Sequence, residues 1–140
     1  LLADQARVLG AEHPDTLTTR NNIASWLGES GQPERALADC GLSQGDAVLD
    51  LGCGQGATAV HLRQRRRLGV VGLDRSTALL AEARRHQALL PLVCADAAAI
   101  PLSDGCLAAV CCECVLSLTE DPCQVLDECW RVLAPVVASC

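Results

Sequence analysis

Val48-Leu-Asp-Leu-Gly-Cys-Gly-Gln-Gly56 decides how this chain folds. A short apolar run ends in glycines at alternate positions, Gly52, Gly54 and Gly56. A second apolar run, Leu68-Gly-Val-Val-Gly-Leu73, ends on Asp74. Strand, glycine turn, helix and second strand in that order present a nucleoside pocket. Glycine lets the backbone approach a ligand closely, and the helix that follows aims its first amides at a polar or anionic group. A dinucleotide would call for G-x-G-x-x-G, because a pyrophosphate must sit on the turn. Here the glycines alternate and Asp50 precedes them. A carboxylate repels a pyrophosphate and holds an ammonium, so the pattern favours a nucleoside that carries an amino acid. Asp74 suits a bidentate grip on ribose hydroxyls, and Asp96 is placed to accept from an adenine amino group.

Outward from this turn the pattern alternates strands and helices, which implies a parallel sheet. The first strand is Ala47–Leu51 and the helix after the glycines is Ala57–Arg66. The second strand is Val70–Leu73. Ser76 caps the next helix, with Leu79, Leu80 and Ala83 on one face. Short strands follow at Pro91–Cys94 and Leu107–Cys112. Asp121-Pro122 opens a helix with proline at its first position and Gln124 at the capping-box site. Val125, Leu126, Cys129, Val132 and Leu133 recur at helical spacing, Pro135 ends that helix, and Val136-Val137 begins a further strand.

Residues 1–39 read differently. Asp15 is an N-cap candidate, Leu17, Ala24 and Leu27 recur at helical spacing, Gly31 stops the helix, and Pro33 opens another. Arg7-Val-Leu-Gly10, His13-Pro-Asp-Thr-Leu17, Arg20-Asn-Asn22 and Ala36-Leu37 resemble tetratricopeptide repeats of the kinesin-light-chain type, over one and a half repeats. About three such units are needed for stability, so the segment is expected to pack on its neighbour or fray. It is a candidate arm for a protein partner.

The chain has 140 residues, a net charge of −6 and a pI near 4.9, which argues against a general nucleic-acid binder. There is no Phe, Tyr or Met, so the core is built from Leu, Val, Ala and Cys, and modest stability is expected. The basic run Arg63-Gln-Arg-Arg-Arg67 reads as a helix C-terminus, where cations are favoured. Ten cysteines stand in a chain with no apolar signal core after Leu1-Leu2 and no membrane-length apolar run. They read as reduced, cytoplasmic and mostly small hydrophobes. Cys111 and Cys114 have C-x-x-C spacing, but residues three apart on a strand point to opposite faces, so no metal site is expected there. His13, His61 and His86 stand at no metal or catalytic spacing and read as surface groups.

Six segments in register resemble a class I S-adenosylmethionine-dependent methyltransferase of the type 11 domain group. They are Gly45–Gly56, Val71-Gly-Leu-Asp-Arg-Ser76, Cys94-Ala-Asp-Ala97, Ile100-Pro101, Glu113-Cys-Val-Leu-Ser-Leu118 and Arg131-Val-Leu133. The resemblance implies a Rossmann-like α/β methyltransferase sheet over residues 40–140, lacking its last strands and holding about four to five, behind an α-helical segment at 1–39. It implies that Asp50, Gly52, Cys53, Gly54, Gln55 and Gly56 meet the methionine part of S-adenosyl-L-methionine. Asp74 would meet the ribose, Asp96 with Ala97 the adenine, and Arg75 is a further cofactor-binding candidate. Glu113 would face the methyl-transfer side and orient an acceptor, here a small molecule. The other readings are a non-catalytic helical-repeat interaction protein carrying a methyltransferase remnant and, less favoured by the glycine spacing, a dinucleotide-binding oxidoreductase fragment.

Overall fold

The computed structural model describes residues 23–24, 41–112 and 115–135. The elements are β1 (Ile23–Ala24), β2 (Ala47–Leu51), α1 (Ala57–Arg66), β3 (Gly69–Asp74), α2 (Thr77–His86), β4 (Leu92–Cys94), β5 (Ala109–Cys112), α3 (Val115–Leu118) and α4 (Pro122–Val132). The five strands form one sheet in the order β1-β5-β2-β3-β4, and every pairing is parallel. β2 lies in the middle with Val48, Leu49, Asp50 and Leu51 all buried, because a central parallel strand is covered on both faces. The chain steps from β2 to β3 to β4, then returns to place β5 on the other side of β2. That reversal opens a crevice beyond the carboxyl ends of β2 and β5, where ligands bind in sheets of this kind.

Alternate residues of β2 feed two cores. Val48 packs with Ala59 and Leu62 of α1, Val70, Leu90 and Ala109. Leu49 and Leu51 pack with Leu73, Val110, Ile100 and the α4 residues Val125, Cys129 and Val132. Helices therefore cover both faces, each through one apolar stripe. α1 closes as its sequence demands: Arg63, Arg65 and Arg66 fill the last turn, and Arg67 ends it in the left-handed region at φ 54°.

Several expectations need correcting. Ile23–Ala24 pair with Val110 and Cys111 as strand, although the spacing around Ala24 is helical. A ladder to an exposed edge outcompetes a weak local periodicity. The rest of the repeat-like segment lies outside the described residues. Leu79 is not on the buried face of α2: it is 40 % exposed, and Leu80 and Ala83 carry the packing. Asp121 does cap α4 by accepting from the Gln124 amide, but the Gln124 side chain does not return to complete a capping box; it donates to the Ala98 carbonyl. β5 starts at Ala109, with Leu107 held instead in a bridge to Leu133. α4 ends at Val132, before Pro135, and α3 is a turn of helix that periodicity did not announce.

Candidate functional site

The glycine turn is built from backbone conformations that a side chain disfavours. Gly52, Gly54 and Gly56 have φ of 75°, 52° and 83°. At the end of β2 the chain bends so that the amides of Gly52 and Cys53 both donate to the Leu73 carbonyl, at 2.7 and 3.0 Å. Gly56 then serves as the N-cap of α1 in the left-handed region, and no side chain caps that helix. A Cβ at Gly56 would stand 2.8 Å from Leu90 Cδ2, so the turn is also tightly packed from behind.

Asp74 ties this turn to the end of β3. Its Oδ2 accepts from the Gly54 amide at 2.9 Å and its Oδ1 from the Ser76 amide at 2.8 Å. A carboxylate offers about four acceptor positions, and these two bonds use one on each oxygen. Two remain for a vicinal diol. Ser76 in turn caps α2 by accepting from Leu79 N at 3.3 Å. Leu79, which the periodicity assigns to the core, places Cδ1 about 4.0 Å from where a Gly54 Cβ would be, making an apolar neighbour for the turn. Arg75 is exposed, and its carbonyl accepts from Cys94 Sγ.

Asp50 is the one charged side chain buried among the described residues, at 2 % exposure. It stands on β2, two residues before Gly52, inside the sheet rather than on the surface of the turn, so it does not offer the exposed carboxylate that the sequence suggests. Cys53 is buried beside it. Burial first, and then the charges of Asp50 and Asp74, push its thiol up to about 12, so it is a neutral packing group at ordinary pH. A Cβ on Gly72 would come within 2.8 Å of Cys53 Sγ, which is why a glycine stands opposite it on β3.

Asp96 follows β4. Its Oδ1 accepts from Ala98 N at 2.8 Å and its carbonyl from Ala99 N at 3.0 Å, so it heads a tight turn with its side chain exposed. Ala95 N donates to the Asp74 carbonyl, which links this turn to the ribose candidate. The structure thus gathers Asp50, the glycine turn, Asp74, Asp96 and Ala97 around the carboxyl ends of β2, β3 and β4. Gln55 is exposed on the turn. Glu113, the acceptor-side candidate, lies outside the described residues, as does Cys114 of the C-x-x-C pair. Cys111 and Cys112 are buried, and burial pushes the Cys112 thiol up to about 11. Among the described residues there is no group of three side chains able to hold a metal ion, and no helix long and apolar enough to cross a membrane. His86 is exposed and lies 2.9 Å from Glu82 within its own helix.

The rim is therefore acidic, with a backbone cradle and no cation aimed into it from the glycine turn. That set fits a nucleoside with a free ribose diol, taken at Asp74.

Comparison with known proteins agrees. Residues 49–137 match the methyltransferase domain family, and the chain belongs to it. It is 32 % identical over 138 residues to an uncharacterized 37.1 kDa protein of transposon TN4556 from Streptomyces fradiae, covering 92 % of this chain and 39 % of that protein. That match runs through residues before the glycine turn as well as after it. Among solved structures, the complex between the Haloferax volcanii Trm112 methyltransferase activator and its candidate methyltransferase superposes with a TM-score of 0.66. The identity is 31 %, over 73 % of this chain and 46 % of the other. Haemonchus contortus phosphoethanolamine N-methyltransferase 2, solved with phosphomonomethylethanolamine and S-adenosylhomocysteine, gives a TM-score of 0.62 at 26 % identity. That match covers 67 % of this chain and 23 % of the other. The chain spans about two fifths of the length of the curated relatives it matches.

Proposed function

We propose that this chain carries the cofactor half of an S-adenosyl-L-methionine-dependent methyltransferase acting on a small-molecule acceptor. The observation that supports it most is the shared carboxylate of Asp74. One oxygen holds the glycine turn through Gly54 N and the other holds the start of α2 through Ser76 N, with acceptor positions left over for a diol. In this reading the ribose hydroxyls bond Asp74, and the amino-acid end lies over Gly52–Gly56. The base reaches the turn headed by Asp96 and Ala97.

When bound there, S-adenosylmethionine supplies a methyl group already activated on a sulfonium, which an acceptor heteroatom takes by in-line displacement. The protein's share is orientation and exclusion of water. Good alignment alone is worth about 7–11 kcal/mol of barrier, so no dedicated base among the cofactor residues is required. The acidic rim favours the cationic donor over its neutral product, which helps release after transfer. The acceptor reaches the crevice beyond β2 and β5, on the side where Glu113 follows β5 in sequence. Residues 1–39 are, in this reading, an arm for a protein partner.

The test is calorimetric titration with S-adenosylhomocysteine and, separately, with NADH. Binding of the first, lost in Asp74→Ala, with silence for the second, supports the proposal. NADH binding, or silence with both, overturns it.

A further inference from the structure

Between β4 and β5 the chain crosses the rim without a strand, carrying Asp96 and Ala97 on the way. Asp96 organises only its own turn, through Ala98 N and Ala99 N. Besides the β4 pairing before it and the buried Ile100 side chain after it, that turn is held from one face of α4, about thirty residues further along the sequence. Gln124 Nε2 donates to the Ala98 carbonyl at 3.3 Å. Glu128 Oε2 accepts from the Ile100 amide at 2.7 Å. Arg131 Nη2 donates to the Ile100 carbonyl at 2.7 Å, and its Nη1 to the Leu102 carbonyl at 2.8 Å and to Asp104 Oδ1 at 2.7 Å. Gln124, Glu128 and Arg131 follow one another at spacings of four and three, so they share a helix face.

The arms brace each other. Arg131 Nε and Nη2 reach the two oxygens of Glu128 at 2.7 and 2.8 Å, a bidentate pairing of the kind that gives geometric definition as well as strength. The Arg131 guanidinium holds the Glu128 carboxyl below its ordinary range. Both groups therefore stay charged while they bond the backbone on either side of Ile100, whose side chain is buried in the core beneath. The neighbouring stripe of α4, Val125, Cys129 and Val132, about 100° round the helix, is buried against the sheet. One helix thus reads the sheet with its apolar face and the rim loop with its polar face.

We propose that Glu128 and Arg131, assisted by Gln124, are positioning residues for base recognition, holding the 96–102 loop as a fixed wall so that Asp96 meets the purine. The inference rests on the cofactor reading above and adds to it the device that sets adenine selectivity. Asp96 is exposed. Its distance from the ribose candidate is set on one side by the β3–β4 ladder, which pairs Asp74 with Cys94 and adds the Ala95–Asp74 backbone bond, and on the other by the buried Ile100 side chain and this clamp. Without the clamp the loop keeps its local turn and its anchors at β4 and Ile100, but the stretch between them loses the bonds that hold it against α4.

The test compares S-adenosylhomocysteine with S-inosylhomocysteine, in which the adenine amino group is replaced by an oxo group. The full chain is expected to prefer the adenine ligand by about tenfold or more, the value of one good hydrogen bond to a charged acceptor. Asp96→Ala brings that ratio near one. Arg131→Ala and the isosteric Glu128→Gln are expected to do the same while still binding both ligands, and Arg131→Lys to restore part of the preference. Hydrogen exchange at the Ile100 amide rises in the same variants, with β2 amides unchanged. A purely structural role would weaken both ligands equally. Should Arg131→Ala fail to fold, Glu128→Gln carries the comparison. Clamp variants that keep the parental ratio and Ile100 protection overturn the inference even though the cofactor reading stands. A parent that binds neither ligand overturns both.

Discussion

The two walls of the site are held by different means. The glycine turn at 52–56 is positioned by main-chain conformation: three left-handed glycines, paired amides on the Leu73 carbonyl, and one carboxylate from the next strand. The loop at 96–104 has no such backbone signature. Beyond the buried Ile100 side chain, it is positioned by charged and amide side chains reaching across from α4. The first wall depends on what residues must not have, a Cβ. The second depends on what distant residues do have, donors and acceptors at matched spacing. The first admits no side chain at its three glycines without strain, whereas the second tolerates substitutions that preserve hydrogen bonding.

The comparison breaks most visibly at Gly56. Gly56→Ala forces a side chain to φ 83° and puts its Cβ 2.8 Å from Leu90 Cδ2. Left-handed strain and overpacking together are expected to cost about 2–4 kcal/mol, read from urea unfolding. Exchange at Ile100 is expected to stay as in the parent, because the clamp does not touch the turn. Asp74→Asn tests the joint between the strand ends. The amide side chain can accept from only one of Gly54 N and Ser76 N and must turn a donor toward the other, at a cost of about 1–3 kcal/mol without any ligand present. A loss of S-adenosylhomocysteine affinity accompanies it, measured by calorimetry on the folded variant.

A smaller effect sharpens the second wall. The folded-state pKa of Glu128 is depressed by Arg131, so the stabilisation it contributes is present above its unfolded value near 4.5. It is lost as pH falls through the depressed value. The stability difference between parent and Glu128→Gln is therefore expected to be constant from pH 5 upward and to shrink below about pH 4.5, in thermal melts across that range. The smallest effect concerns chemistry beneath the first wall. Cys53, with its thiol raised to about 12, and buried Cys112 and Cys129, raised to about 11 and about 12, are expected to resist iodoacetamide in the native chain at pH 8. Exposed Cys94, Cys106 and Cys123 are alkylated, as peptide mass spectrometry would show.

This contrast also explains what could be read from the sequence. β2 and α1 begin and end where apolar runs and glycines place them, and β3 extends its reading by one residue at each end. Asp74 stands out because it closes a strand, and Asp121 because proline follows it. Such signals are local. Glu128 and Arg131 carry no local mark, since on a helix they look like any solvated i, i+3 pair. Only the fold reveals that they bond Ile100 and Leu102. Leu79 departs for a related reason: it stands at the edge of the stripe, about 100° from Leu80, where its neighbour is the glycine turn rather than the sheet. The strand at Ile23–Ala24 was illegible because its partner, Val110–Cys111, lies far along the chain. Glu113 and most of residues 1–39 fall outside the described residues, so their assigned roles rest on the resemblance.

The most direct test of the central claim is a crystal structure of the chain with S-adenosylhomocysteine. Both ribose hydroxyls are expected within hydrogen-bond distance of Asp74, with the Gly54 amide still on Oδ2 and the amino-acid end over Gly52–Gly56. A nucleoside lodged elsewhere, or an Asp74 carboxylate that leaves Gly54 and turns from the ligand, would contradict it.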